Sequence, residues 1–138
     1  MATGTAGDNG RQYHQHQIHY LRKYFTKADA ALTLDMGYVP PGACIIRGGV
    51  AVIELFNAGT NNRADIGPST DTDGFATDLA LGTVGVIVAD EMATSNDFYA
   101  ETAQLIQVVV DVTGTAATTG KAIACVEYMV PEGLFGSS

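Results

Sequence analysis

Along the chain, apolar and polar positions alternate with period two far more often than with the period of a helix. ALTLDM (31–36) alternates without fault, with Leu32, Leu34 and Met36 on one side and Thr33 and Asp35 on the other. That is the signature of a half-buried strand. QLIQVVVDV (104–112) sets Ile106, Val108, Val110 and Val112 on one face. KAIACVEYMV (121–130) does the same with Ala122, Ala124, Val126, Tyr128 and Val130. With TGTAATTG (113–120) between them, these two read as a hairpin. ACIIRGGVAVIELF (43–56) is the longest apolar run. In its second half Val50, Val52 and Phe56 share one face with Glu54, and Ala51, Ile53 and Leu55 share the other. Both faces being apolar predicts a strand covered on both sides. Gly48 and Gly49 predict a bend at which it passes from one sheet to another.

The remaining segments are shorter. QIHYLRKYFT (17–26) has no cleanly apolar face, but its Ile, Tyr, Phe and Thr content favours a strand, with KADAA turning after it. NAGTNNRADIG (57–67) reads as a turn and a short strand, and GTVGVIVA (82–89) as a glycine-weakened strand. PSTDTDGFATDLAL (68–81) reads as a polar loop with one or two helical turns, because Phe75 and Leu79 stand at i, i+4. DEMATSNDFYAET (90–102) is acidic and irregular, and PEGLFGSS (131–138) is a tail whose apolar hook is Leu134 and Phe135. About seven strands separated by turn signals predict an all-β, antiparallel β-sandwich, jelly-roll-like, with an extended N-terminal arm. The expected division is an arm over 1–16, one sandwich domain over 17–131 and a C-terminal tail over 132–138.

Composition agrees with a folded β domain: 46% of residues are hydrophobic, 16% are charged, and there are 16 glycines. Charge adds an asymmetry. Residues 1–27 carry Arg11, Arg22, Lys23 and Lys27 against Asp8 alone, whereas the rest holds three cations and fourteen acids, for a net charge of −8. A basic, histidine-bearing arm ahead of an acidic body suggests that the arm lies on an acidic neighbour, such as another copy of the chain. The expected partner-binding residues are therefore Arg11, His14, His16, Tyr20, Arg22, Lys23 and Tyr24. An acidic body repels phosphate, so direct nucleic-acid binding is not expected. Neither a secretory leader nor an apolar run of spanning length is seen, so no membrane partner is expected and synthesis in a reducing cytoplasm is.

Catalytic and metal chemistry find little footing. His14 and His16 face one side of an extended chain and His19 the other, so three ligands do not converge within one chain, and only one His per chain, ringed on a symmetric oligomer axis, would gather a set. STDTDGF (69–75) looks like a calcium loop, but the position that needs a bidentate Glu holds Ala80. An Asx-rich turn explains it better. There is no nucleophile elbow, phosphate loop or dinucleotide fingerprint. No catalytic residue, cofactor or metal is therefore expected. Cys44 shares parity with Ile46 and should point inward, while Cys125 shares parity with Lys121 and Glu127 and should point outward or into a subunit interface, so the two should not bond.

Taken in order, YVPPGACIIRGGVAVIELFNAGT, the TDTDGFAT loop and TGKAIACVEYMVP resemble the small β-rich virion proteins of tailed bacteriophages, in particular head decoration (cement) proteins. The resemblance spans roughly residues 17–131. It implies a non-enzymatic structural protein on the capsid exterior that binds the major capsid protein, associates as a homotrimer and stabilises the shell. The alternative reading is a β-sandwich binding module for glycans or a host surface, using loop residues such as Asp73 and Tyr99. A small hydrolase would require convergent acids that the sequence does not display.

Overall fold

The computed structural model describes residues 18–91 and 97–130. They form eight strands: β1 (His19–Thr26), β2 (Thr33–Val39), β3 (Cys44–Glu54), β4 (Asn61–Pro68), β5 (Ala76–Ala80), β6 (Gly85–Val88), β7 (Gln104–Thr113) and β8 (Lys121–Met129). The strands make two antiparallel four-stranded sheets, β1-β8-β3-β6 (sheet A) and β2-β7-β4-β5 (sheet B). The all-β sandwich expected from the alternation is the fold observed. The one helical piece among the described residues is a 3₁₀ turn, Lys27–Asp29, in the segment read as a turn. Thr26 builds it, accepting from the Ala28 N–H (3.2 Å) while its own N–H donates to the Asp29 carboxylate (3.0 Å).

The core lies between the sheets. From sheet A come Phe25, Ile45, Val50, Val52, Ala122, Ala124 and Val126; from sheet B come Ala64, Ile66, Leu79, Ile106, Val108, Val110 and Val112. Phe56 and Phe75, on loops, plug the ends, and Phe56 packs obliquely on Phe25 at 5.7 Å. These inward residues have the predicted parity on β3, β7 and β8.

Four expectations fail. β7 and β8 are not a hairpin: β7 pairs with β2 and β4, β8 with β1 and β3. The chain between them arches across the core, so their apolar faces oppose each other instead of lying side by side. Asn57 fastens that arch, accepting from the Thr118 N–H (2.8 Å) and donating to its hydroxyl (2.8 Å). Second, β3 never changes sheet. Its register shifts fall between Ile45 and Arg47 and between Val52 and Glu54, and Gly48 and Gly49 pair regularly with Val126 and Cys125. Glycine is needed because a Cβ at Gly49 would overlap the Ile87 carbonyl of the neighbouring strand.

Third, the expected helical turn at Phe75 and Leu79 is strand β5. Asp78 has φ +55°, and the pairing with β4 shifts between Ala64 and Ile66. The resulting bulge turns Ala76 and Leu79 inward together, a spacing of three that mimics a helix. Fourth, NAGTNNRADIG contributes a central eight-residue strand, β4, instead of a short one.

Candidate functional site

Each sheet has an outer face, and the two differ in chemistry. On sheet B the outward side chains include Asp65, Asp78 and Asp111, arranged about one cation, Arg63, and Asp35, which accepts from the Gln107 amide at 2.8 Å. Arg63 reaches Asp111 at 2.9 Å and Asp78 at 3.3 Å. The hydrogen bond to Asp111 outweighs partial desolvation and holds the guanidinium more firmly protonated than usual, helped by Asp78 and Asp65. Partial burial pushes the Asp65 carboxyl above its ordinary range. The Asp78 N–H donates to it at 2.7 Å and opposes the shift, while Asp78, Asp73 and Asp111 add to it.

Sheet A is apolar and weakly basic on its outside. Strand parity puts Tyr20, Arg22 and Tyr24 of β1 outward, opposite Glu127, Cys125 and Ile123 of β8. On β3 the outward positions are Arg47, Gly49 and Ala51, with Ile53 beyond them. Val86 and Val88 of the edge strand β6 are 78% and 66% exposed and widen the apolar patch on this face. Because Gly49 and Ala51 leave the floor bare, a groove of about 300 Å³ runs between β8 and β6. Ile123 and Cys125 line one side, Val86 and Val88 the other, and the Arg47–Glu127 ion pair closes one end. The expectation that both faces of β3 are covered is thus wrong: Ile53 is 54% exposed, and the second apolar face is this open surface.

Of the residues singled out in the sequence, Tyr20, Arg22 and Tyr24 are brought together here, at the β1 margin of the face. They belong to a paired edge strand, not to a detached arm. Lys23 has the opposite parity and is half-buried at the rim of the core. Arg11, His14 and His16 lie outside the described residues. His19 stacks on Tyr128 at 5.5 Å. The positive charge expected of an arm is therefore mostly built into the sandwich: Arg22 and Lys23 are on β1, and Lys27 starts the 3₁₀ turn.

Both cysteines are free and half-buried. Cys125 points outward as predicted; burial, then the charge of Glu127, pushes its thiol up. Cys44 does not share the inward face. Ile45 is buried and Ile46 exposed, and Cys44 bridges Tyr99 at the start of β3. The DxDG loop is a turn, in which Asp71 N–H donates to Pro68 (2.8 Å) and Gly74 N–H to Asp71 (2.8 Å). The groove itself escaped sequence reading. Its signal was the apolar outer parity of ACIIRGGVAVIELF, which looks the same whether a neighbour covers it or not.

No protein family matches the sequence, and no curated protein matches it at a significant level. Solved structures do share the fold. The chain is similar to a component of the acidic stable capsid structure of Helicobacter pylori bacteriophage KHP30 (TM-score 0.63, 14% identity, 83% of this chain and 89% of that one). It is likewise similar to a component of the capsid of Ralstonia phage GP4 (TM-score 0.61, 20% identity, 83% and 84%). A chain of the cyanophage Pam1 capsid asymmetric unit aligns over 95% of this chain and all of its own length (TM-score 0.57, 13% identity).

Proposed function

We propose that this chain is a non-enzymatic structural protein of a bacteriophage virion, which binds the exterior of the capsid shell as a homotrimer and stabilises it. The observation that carries the reading is the near-full-length likeness to chains of three phage capsids. The strand order β1-β8-β3-β6 with β2-β7-β4-β5 supports it. Eight strands in two sheets, with connections passing repeatedly from one sheet to the other, suits the double-sheet jelly-roll plan that viral capsid domains use. The trimer comes from the resemblance to head decoration proteins.

The shell-facing surface in this reading is the β1 margin of sheet A. Tyr20 and Tyr24 are 60% and 52% exposed and flank Arg22. Two amphipathic rings around a guanidinium have the composition of an interface hot spot. A partner that is apolar with a carboxylate at its centre would match them. The acidic face of sheet B then points away from the shell and keeps the free protein soluble.

The test is co-sedimentation of the purified protein with capsids of its phage, together with its mass by light scattering. A trimer that pellets with capsids is expected, and Tyr20→Ser/Arg22→Glu/Tyr24→Ser should lose most of the pelleted fraction while keeping its fold. A monomer with no capsid affinity overturns the proposal.

A further inference from the structure

We propose that β6 of one copy pairs antiparallel with β6 of a second copy about a two-fold axis through Ile87, joining two A sheets into one continuous sheet. This goes beyond the shell-binding reading and does not depend on it.

The backbone specifies a strand as the occupant. β6 is the outermost strand of sheet A on its side. The Ala89 N–H donates to the Gly48 carbonyl at 2.7 Å, so Ile87, two residues earlier, also turns its main chain towards β3. Val86 and Val88 therefore direct their N–H and C=O groups away from the sheet, where no described residue pairs with them. Both carry strongly exposed β-branched side chains, the kind that packs across a strand pair.

Comparison of the four edge strands points to a second copy. β1 carries Arg22 and Lys23. β2 carries Asp35 and a register shift between Asp35 and Gly37. β5 carries Asp78, and its pairing with β4 is shifted. Charges and bulges of this kind keep an edge from pairing with its own copies. β6 has neither: residues 82–89 are uncharged, and Gly85–Val88 pairs with β3 without a shift. Its shortness keeps the contact small, so the pairing is reversible.

Self-pairing also fits in register and charge. An axis through Ile87 sets Val86 of each copy opposite Val88 of the other, and these two pairs exchange about four main-chain hydrogen bonds. The acidic ends do not meet: Asp90 falls opposite Val84 of the other copy and Glu91 opposite Thr83. Pairing of β6 with β1 of another copy would instead leave open edges at both ends and run on as a filament, whereas the two-fold closes after two. It leaves β1, β2, β5 and the loops free for a trimer contact.

Disulfide trapping in a Cys44→Ser/Cys125→Ser background tests the register. At the axis the two copies of residue 87 form a non-hydrogen-bonded pair, about 4.5 Å apart at Cα, within reach of a disulfide. The two copies of residue 86 are about 8 Å apart in this register, too far to bridge. Ile87→Cys should therefore form linked dimers at least about tenfold faster than Val86→Cys. Random collision would favour the more exposed Val86→Cys, so equal rates, or faster linking there, overturn the proposal. Ile87 also packs against the rim of the core, so a second measurement keeps it unchanged. The mass of the native chain under reducing conditions, followed by sedimentation, should rise with concentration. That of Val88→Pro should stay constant, because proline removes an outward N–H and leaves the ladder to β3 intact. A constant mass for the native chain, or the same rise in both, overturns the inference.

Discussion

Gly120 shows how one residue's lack of a side chain supports a core. It ends the β7–β8 arch with φ +149°, a conformation side chains disfavour, and a Cβ there would overlap the Phe56 ring. Gly120→Ala should cost about 2–4 kcal/mol, combining backbone strain with overpacking, measured as a lowered urea midpoint. Asp65 acts in the opposite sense. Its pKa is raised in the fold, so the folded state holds its proton more tightly than the unfolded chain. Its ionised form therefore opposes folding above the folded pKa, and that cost fades as pH falls through it. Asp65→Asn keeps an acceptor for the Asp78 N–H and removes the charge. It should raise the melting temperature at pH 7 by about 1–2 °C, a gain that shrinks towards zero in acid. A lowered melting temperature at pH 7 would show that attraction to Arg63 outweighs burial.

At the level of elements, alternation told which residues of a strand face inward but not which strand it pairs with. Ile106 to Val112 and Ala122 to Val130 have the same parity whether they lie side by side in a hairpin or face each other across an arch. The choice is made by the other strands: β2 and β4 take both edges of β7, and β1 and β3 take both edges of β8. None of this is local, so a window of ten residues does not contain it. Bulges hide for a related reason. Asp78 shifts the phase of β5 by one residue, and Ala76 and Leu79 then imitate a helical face. The apolar outer side of β3 was legible, but its exposure was not, because a sequence pattern reports affinity for apolar surroundings and not whether the fold supplies them. The charge asymmetry was legible in the same limited way. Arg22 and Lys23 also guard the exposed edge of β1 against stray strand pairing, whereas the three residues Val86–Val88 of the opposite edge carry no charge at all.

Among the described strands, β4–β5 alone joins two that are neighbours in both sequence and space. Every other pairing closes a long loop before it gains any contact. Refolding from urea should therefore be slow for the size, in roughly the millisecond-to-second range; a microsecond phase carrying the full amplitude would contradict this. The opposite placement of the two outer faces bears on assembly too. Copies stacked with a basic face on an acidic one would continue as a filament, since the faces point in opposite directions. A closed trimer has to use edges or loops.

β1 and β8 run antiparallel with His19 opposite Tyr128, so the chain enters and leaves the sandwich at one corner of sheet A. In mechanical terms this is a zipper, not a shear joint. Tension applied to the two ends would fall on the His19–Tyr128 end of the ladder first and open it one rung at a time, towards Thr26 and Lys121. A subunit tethered through a single end loads its whole body instead and spares that seam. Segments inserted directly before His19 and directly after Met129 would start within about a strand spacing of each other.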